Sequence, residues 1–313
     1  GSSMIVRRMG HSNSGGIAVD IWYNFYTSEP YFQFLRATNR MIGGKTRKKS
    51  SFPYEIAIPS YKRHEAIKEK TLATLKKYGI PSNKITVFVA NKDEEALYKQ
   101  SLTPGTYGKI VVGVKGMHDI RNFITGYYPI GTKIVNIDDD IKGFLEYDES
   151  LKRKEKPLKS LLAVIKKGFA ECEKAKTKLW GVYPVANGYF MKPKVSTEIR
   201  YIIGSFWGCI NPGIKEIEIT TEYKEDYQRT ILYYKRWNAV VRLNMYAPIS
   251  AYYTEAGGMQ EVKERRSLEE KGARWLVKTY PQFAVLNPSK KSGYMEVKLK
   301  DLRVDKSQED HES

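Results

Sequence analysis

The sequence predicts an α/β fold, a mostly parallel sheet of the Rossmann type flanked by helices. Three observations carry that expectation. Short Ile/Val-rich runs alternate with amphipathic stretches between residues 54 and 138, glycine and proline punctuate them, and each apolar run ends in a polar cluster. Runs of four to eight apolar residues bounded by turn signals read as buried strands, and strands separated by helical stretches of this length pair in parallel.

Element by element, EIAIPS (55–60) reads as a buried strand, and EAIKEKTLATLKKYG (65–79) as an amphipathic helix stopped by Gly79 and Pro81. ITVFVAN (85–91) is a second strand and DEEALYKQSL (93–102) a helix. KIVVGV (109–114) gives a third strand, MHDIRNFITGYY (117–128) a helix and KIVNID (133–138) a fourth strand. Beyond these, LKSLLAVIKKGFAECEKAK (158–176) has helical apolar spacing that puts Cys172 in the core. KLWGVYPVAN and RYIIGSFWGCINP read as strands with their loops. EIEITTEYKEDYQRTILYYKRW (216–237) predicts a strand running into Glu225-Asp226 and a helix, and AGGMQ with KERRS (256–267) a glycine loop opening a helix. Residues 1–52 form an N-terminal arm in this reading, 53–150 and 151–300 two halves of one domain, and 301–313 a disordered charged tail.

Composition narrows the function classes. The chain has 313 residues, 41% of them hydrophobic and 12% aromatic, which suits a globular core. No apolar run approaches the roughly 20 residues of a bilayer span, so no membrane partner is expected. Two cysteines, Cys172 and Cys209, have no metal-site spacing and suit a reducing, cytoplasmic compartment. Lys and Arg number 53 against 35 Asp and Glu, a formal charge of +18. That excess points to a polyanion, nucleic acid first, with a generally basic cytosolic or membrane-surface protein as the other reading. Aromatic residues interleave with basic ones at Trp22–Arg36 and Tyr233–Trp237, a pattern that can stack bases as well as hold phosphates.

The strongest local signal is IVNIDDDIKGF (134–144). Asp138, Asp139 and Asp140 follow an apolar run directly, and adjacent carboxylates repel one another unless a cation or a set of donors sits with them. A divalent ion with oxygen ligands, Mg²⁺ or Mn²⁺, satisfies that need; an acidic turn kept for solubility is the alternative. Side-chain alternation pairs Asp138 with Asp140, Asp140 being the first choice of metal ligand, and leaves Asp139 turned away or hydrogen-bonded locally. Ligands of parallel sheets bind beyond the carboxyl ends of the strands. One rim would therefore gather Pro59, Ser60, Tyr61, Lys62 and Arg63, then Asn91, then Gly116 with Arg121 and Asn122, then the aspartates. Such a pocket suits a nucleoside diphosphate held through a metal. Glu225 and Asp226 could accept a proton across it, or simply cap a helix. Lys48 and Lys49 in KTRKK, and Arg265 and Arg266, are phosphate contacts or solvated charges. His64 and His118 lie near the rim clusters, and Trp207 and Trp237 are candidates for stacking on a flipped base.

In their order, IPSYKR, VAN, G-x-x-x-x-RN, IDDDI and EDYQRT resemble the GT-A glycosyltransferases. More narrowly they resemble the phage and kinetoplastid group associated with TET/JBP oxygenases, which includes the base J glucosyltransferase. The resemblance covers residues 54 to about 275. It implies transfer of a sugar from a nucleotide-sugar to the hydroxyl of a 5-hydroxymethylpyrimidine in DNA, double-stranded in this reading, in the host cytoplasm if the protein is viral. It makes 53–150 the donor half and 151–300 the acceptor half. It implies donor contacts from Pro59, Ser60, Tyr61, Arg63, Asn91, Arg121, Asn122, Asp138 and Asp139, a metal-binding D-x-D at Asp138 to Asp140, and Asp226 as the base of an inverting enzyme, with Glu225 beside it. Arg229, Trp237, Arg265, Arg266, Lys48 and Lys49 would face nucleic acid. The late histidine that is a metal ligand in many GT-A enzymes has only His311 to match it, so water or the loop Gly257-Gly258-Met259-Gln260 stands in. The rival readings are a glycosyltransferase acting on a polysaccharide or lipid, a non-catalytic nucleic-acid-binding protein, and a nucleotidyltransferase.

Overall fold

The computed structural model describes residues 52–250, 259–288 and 295–302, without the side chains of 259–263, 265 and 288. The chain divides between Ser51 and Phe52, and the fold below is that of the second unit. In the first half, β1 (Glu55–Pro59) leads into helix α1 (64–77), then β2 (Ile85–Val89), α2 (Lys92–Ser101), β3 (Lys109–Val112), α3 (Met117–Tyr127) and β4 (Lys133–Ile137). The hairpin β5 (Ile141–Tyr147) and β6 (Glu155–Pro157) follows. The second half adds α4 (Leu161–Ala175), β7 (Leu179–Val182), β8 (Val195–Ser196), β9 (Phe206–Ile210), α5 (Glu225–Trp237), β10 (Val241–Leu243) and β11 (Tyr246–Ser250). Helix α6 (Met259–Thr279) and strands β12 (Ala284–Pro288) and β13 (Met295–Leu299) complete it.

Eight strands form one sheet in the order β3-β2-β1-β4-β9-β7-β10-β8. The first four run parallel, with Ile56 beside both Ile85 and Val135 and Val87 beside Ile110. Strand β9 is antiparallel to both β4 and β7, and β10 is parallel to β7. The expected α/β class is therefore present, with β8 and β9 reversed. β11, β5 and β6 make a separate antiparallel sheet.

Two cores lie on the two faces of the large sheet, and strand alternation sorts residues between them. Ile56 and Ile58 of β1 join Leu72, Leu75, Val164 and Phe169 on one face, while Ala57 between them joins Ile120, Ile124, Ile231 and Tyr233 on the other. Trp180 is fully buried in the first core. Its indole lies where a Cβ at Gly168 or Gly208 would stand, so those two positions admit only glycine without displacing the ring.

The strand expected at EIEITT is absent. Ile217 and Ile219 are buried in the second core, but the Ile217 amide donates to the Gly213 carbonyl and side chains satisfy Ile219 and the residues after it in place of a neighbouring strand. Asn122 bonds both the N–H and the C=O of Ile219, and Gln228 Oε1 accepts from the amides of Thr220 and Thr221. Among the described residues no helix is long and apolar enough to cross a membrane.

Candidate active site

At the carboxyl ends of β1, β2, β3 and β4 lies a cleft of about 470 Å³ lined by Pro59, Ser60, Tyr61, Arg63, Lys115, Gly116, Glu222 and all three of Asp138, Asp139 and Asp140. Phe88, Val89, Val114, Met117 and Ile120 supply its apolar wall. The rim rule therefore places the cleft correctly.

The triplet turns off the end of β4 and is pinned at the backbone by α1. Helix α1 is interrupted by a π-helical stretch, Lys68–Leu72, a distortion found often at functional sites. Within it, the Thr71 hydroxyl donates to the Asp138 carbonyl at 2.6 Å and accepts from the Ile141 amide at 3.0 Å, spanning the triplet from one end to the other. Thr74, one turn on, donates to the Ile141 carbonyl at 3.0 Å.

Each carboxylate has its own partner. Asp138 accepts from Arg121 Nη2 at 2.8 Å. Asp139 accepts from the Ser60 hydroxyl at 2.7 Å and lies 3.4 Å from Arg63 Nε. Asp140 accepts from the Ser250 hydroxyl at 2.8 Å and lies 3.9 Å from Arg63 Nη2. With Ser60 committed to Asp139, the 2.6 Å contact between Ser60 and Tyr98 has the phenol as donor, and Tyr98 in turn accepts from the Arg63 amide. Of the two expectations for Asp139, local hydrogen bonding is the one observed: it accepts from Ser60 while lining the cleft, and Arg63 lies between it and Asp140. Burial raises the pKa of Asp138, with the Arg121 charge pulling against the rise. Burial pushes the Asp139 carboxyl up to about 6, against the Ser60 hydrogen bond and the Arg63 charge.

This donor set fits a hard divalent cation. Carboxylate oxygens suit Mg²⁺ or Mn²⁺, and the half-exposed Arg63 guanidinium shows that Asp139 and Asp140 draw positive charge. Among the described residues no three acidic, histidine or cysteine side chains converge into a closed cage. An ion held by one or two carboxylates and completed by phosphate oxygens is the arrangement that Mg²⁺ commonly adopts.

Several predicted contacts are relocated. Asn91 caps α2, its Oδ1 accepting from the Glu94 amide at 2.9 Å, and is outside the cleft lining. Asn122 is occupied by Ile219, and so is not a diphosphate contact. Arg121 is buried beneath the cleft, bonding Asp138 and the Gly204 carbonyl and standing 3.5 Å from Glu225. Its part is to hold Asp138. Glu225 is buried between Arg121 and Arg229, paired with both, which leaves it no role in proton transfer. Arg229, 2% exposed, lies 3.9 Å over the Trp207 ring, so neither residue meets nucleic acid. Trp237 is half-buried against Tyr233. Arg266 is exposed on α6, whose backbone also carries Arg265. Lys48, Lys49, Gly257, Gly258 and His311 lie outside the described residues.

Asp226 opens α5 and is absent from the cleft lining, although only Gly204 separates it from Arg121. The Gly204 amide donates to Asp226 at 3.3 Å while its carbonyl accepts from Arg121. The Tyr201 phenol donates to the same Asp226 oxygen at 2.5 Å, and the Tyr227 amide to the other. Burial raises the Asp226 pKa, opposed first by the Tyr201 hydrogen bond.

Sequence reasoning missed Lys115, Glu222 and the threonine pin. Lys115 and Lys62 stand 5.4 and 5.3 Å from the Tyr61 ring centroid, on the cleft edge. Glu222 accepts from the Met117 amide and pairs with His118, which also contacts Asp119. His118 therefore ties the 217–224 segment to α3. A threonine inside a helix carries no sequence signal that it will bridge the ends of an acidic turn.

No protein-family model matches the chain, and no curated protein matches it. Among solved structures, the chain is similar to a mannosyltransferase from Pyrobaculum calidifontis in complex with GDP-mannose and Mn²⁺, at 14% identity and a TM-score of 0.47 over 81% of this chain and 71% of that one. It is also similar to a mycobacterial protein, at 8% identity and a TM-score of 0.43 over 81% and 85% of the two chains.

Proposed function

We propose that the protein is a metal-dependent glycosyltransferase that moves a sugar from a nucleotide-sugar to the hydroxyl of a 5-hydroxymethylpyrimidine in DNA, with inversion. The observation that carries the transferase reading is the set of three carboxylates at the end of β4, two of them paired with Arg63, lining one cleft of about 470 Å³ together with Lys115. The DNA acceptor is supported by the +18 charge and by the order of the sequence motifs.

Asp140 and Asp138 would hold Mg²⁺ or Mn²⁺, which supplies charge neutralisation to the departing diphosphate. Tyr61 offers a ring for the donor base, and Arg63 and Lys115 bring positive charge to the phosphates. Arg63 leaves the acids for the phosphates when the donor enters, an exchange its partial exposure allows. The acceptor oxygen would bond the anomeric carbon as the bond to diphosphate breaks; the resemblance assigns its proton to Asp226, which stands outside the cleft lining behind Gly204 and accepts from Tyr201, Gly204 and Tyr227. Burial makes that carboxylate the stronger base. Arg121 keeps Asp138 in place, and Tyr201 with the Gly204 amide keeps Asp226.

The test is a donor screen with hydroxymethylated DNA and Mn²⁺ or Mg²⁺, followed by mass spectrometry of the digested nucleosides. A hexose or pentose adduct on the hydroxymethylpyrimidine is expected, and its loss in Asp140→Asn. No adduct with any common nucleotide-sugar overturns the reading.

A further inference from the structure

Two adjacent aromatic residues that are not part of the cleft lining stand exposed on a second surface. Tyr189 and Phe190 are 59% and 58% exposed, side by side, with Val185 and Leu151 also exposed nearby in the fold. Large adjacent aromatic rings left in water usually mark a contact surface. Their backbone is fixed: the Asn187 side chain accepts from the Tyr189 amide, and the Asn187 carbonyl accepts from the amides of Phe190 and Met191. Gly188 holds this turn against the tip of the β5–β6 hairpin, where a Cβ would run into the backbone of Arg153 and Lys154, and its amide donates to Glu155 at 2.5 Å. The two loops thus form one rigid platform.

Its charge is basic. Lys152, Arg153 and Lys154 are exposed on the hairpin tip, and Lys192 and Lys194 follow the aromatic pair. Of the nearby acids, Asp148 is engaged by Ser150 and Lys156 and Glu155 by Gly188 and Arg153, while Glu149 is exposed on the same turn and leaves the basic residues in excess. Exposed rings on a fixed turn, bordered by lysines, are the combination that binds single-stranded nucleic acid, the rings stacking bases and the lysines holding phosphates. Strand β5 starts right after Asp140 and its seven residues lead toward the tip, about 23 Å along the strand.

We infer that Tyr189 and Phe190, with Lys152 and Lys192, form a binding platform for DNA with unstacked bases. The inference rests on the transferase reading for its purpose, since it assigns the acceptor strand a path from the platform to the acidic triplet; the binding itself stands on the platform alone.

The test uses the full chain and a fluorescein-labelled 15-nucleotide single strand, read by anisotropy, with Mn²⁺-dependent UDP and GDP titrations run in parallel. Tyr189→Ala with Phe190→Ala should weaken strand binding ten- to a hundredfold, the range expected for losing stacked rings. Tyr189→Phe with Phe190→Trp should restore it, which excludes misfolding as the cause. Lys152→Ala and Lys192→Ala should each flatten the salt dependence by about 0.7 in log–log slope. Nucleotide affinity at the cleft should not change in any of these. The inference is overturned if the wild-type chain does not bind the strand, if the alanine pair binds it as well as wild type, or if the pair loses binding to anionic phospholipid vesicles instead. Strand binding lost in the alanine pair, together with a wild-type chain that binds no nucleotide, would leave the platform standing and remove the transferase reading.

Discussion

Among the described residues, two acidic clusters lie one on each side of Gly204, and they are provided for in opposite ways. Glu225 and Asp226, at the start of α5, meet donors built into the fold: two buried arginines for the first, and a phenol and two backbone amides for the second. Asp139 and Asp140 have one serine each and share a single half-exposed arginine. Acids held by rigid donors are structural or finely positioned groups. Acids whose positive partner can swing away keep charge available for a ligand. Neighbouring carboxylates in one sequence can thus differ in purpose, and the partner's mobility separates them.

The largest expected effect tests the buried side. Arg229→Met leaves Glu225 facing Arg121 alone and removes the cation from Trp207, so stability should fall by roughly 3–5 kcal/mol, as for other broken buried pairs. Urea denaturation measures it; a change below about 1 kcal/mol would mean the cluster is no more structural than the triplet. On the open side, Asp140→Asn should lower turnover about a hundredfold, near 2.7 kcal/mol of barrier, with the melting temperature almost unchanged. A large loss of stability there would erase the contrast.

Sequence reasoning reached the open side and misassigned Glu225 on the buried one for a physical reason. A parallel strand followed by acids at a cleft rim follows from strand periodicity and from the rule that ligands bind at strand ends, and both are local. Whether Glu225 faces water or two arginines depends on β4, α3 and α5 packing together, which no spacing encodes. Arg121, Asn122 and Arg229 misled in the same way. Each is a polar residue on a helix near the rim, and each is turned inward to satisfy the fold. Tyr189 and Phe190 escaped notice because they follow KLWGVYPVAN, which reads as a strand with its loop and carries no signal that the next two rings stay exposed; β7 itself stops at Val182.

A smaller effect sharpens the point. Asn122→Ala strands the backbone amide and carbonyl of Ile219, at a cost of about 2 kcal/mol, while leaving nucleotide affinity unchanged. Calorimetric melting with a parallel nucleotide titration would show it, and a fall in affinity without a fall in stability would return Asn122 to the donor site. The smallest change is expected for Tyr201→Phe. The Tyr201 hydrogen bond holds the Asp226 pKa down, so its removal raises that pKa. A base must be ionised to act, so the acid limb of the pH–rate profile should move to higher pH. An unmoved limb would separate Asp226 from proton transfer.

Helix α1 begins beside Arg63, and its π turn holds Thr71. The competing cation and the clasp on the aspartates therefore ride on one piece of the chain. A nudge to that helix would tilt guanidinium and carboxylates together, as two ends of one lever, so that donor entry and the seating of the acids become a single motion.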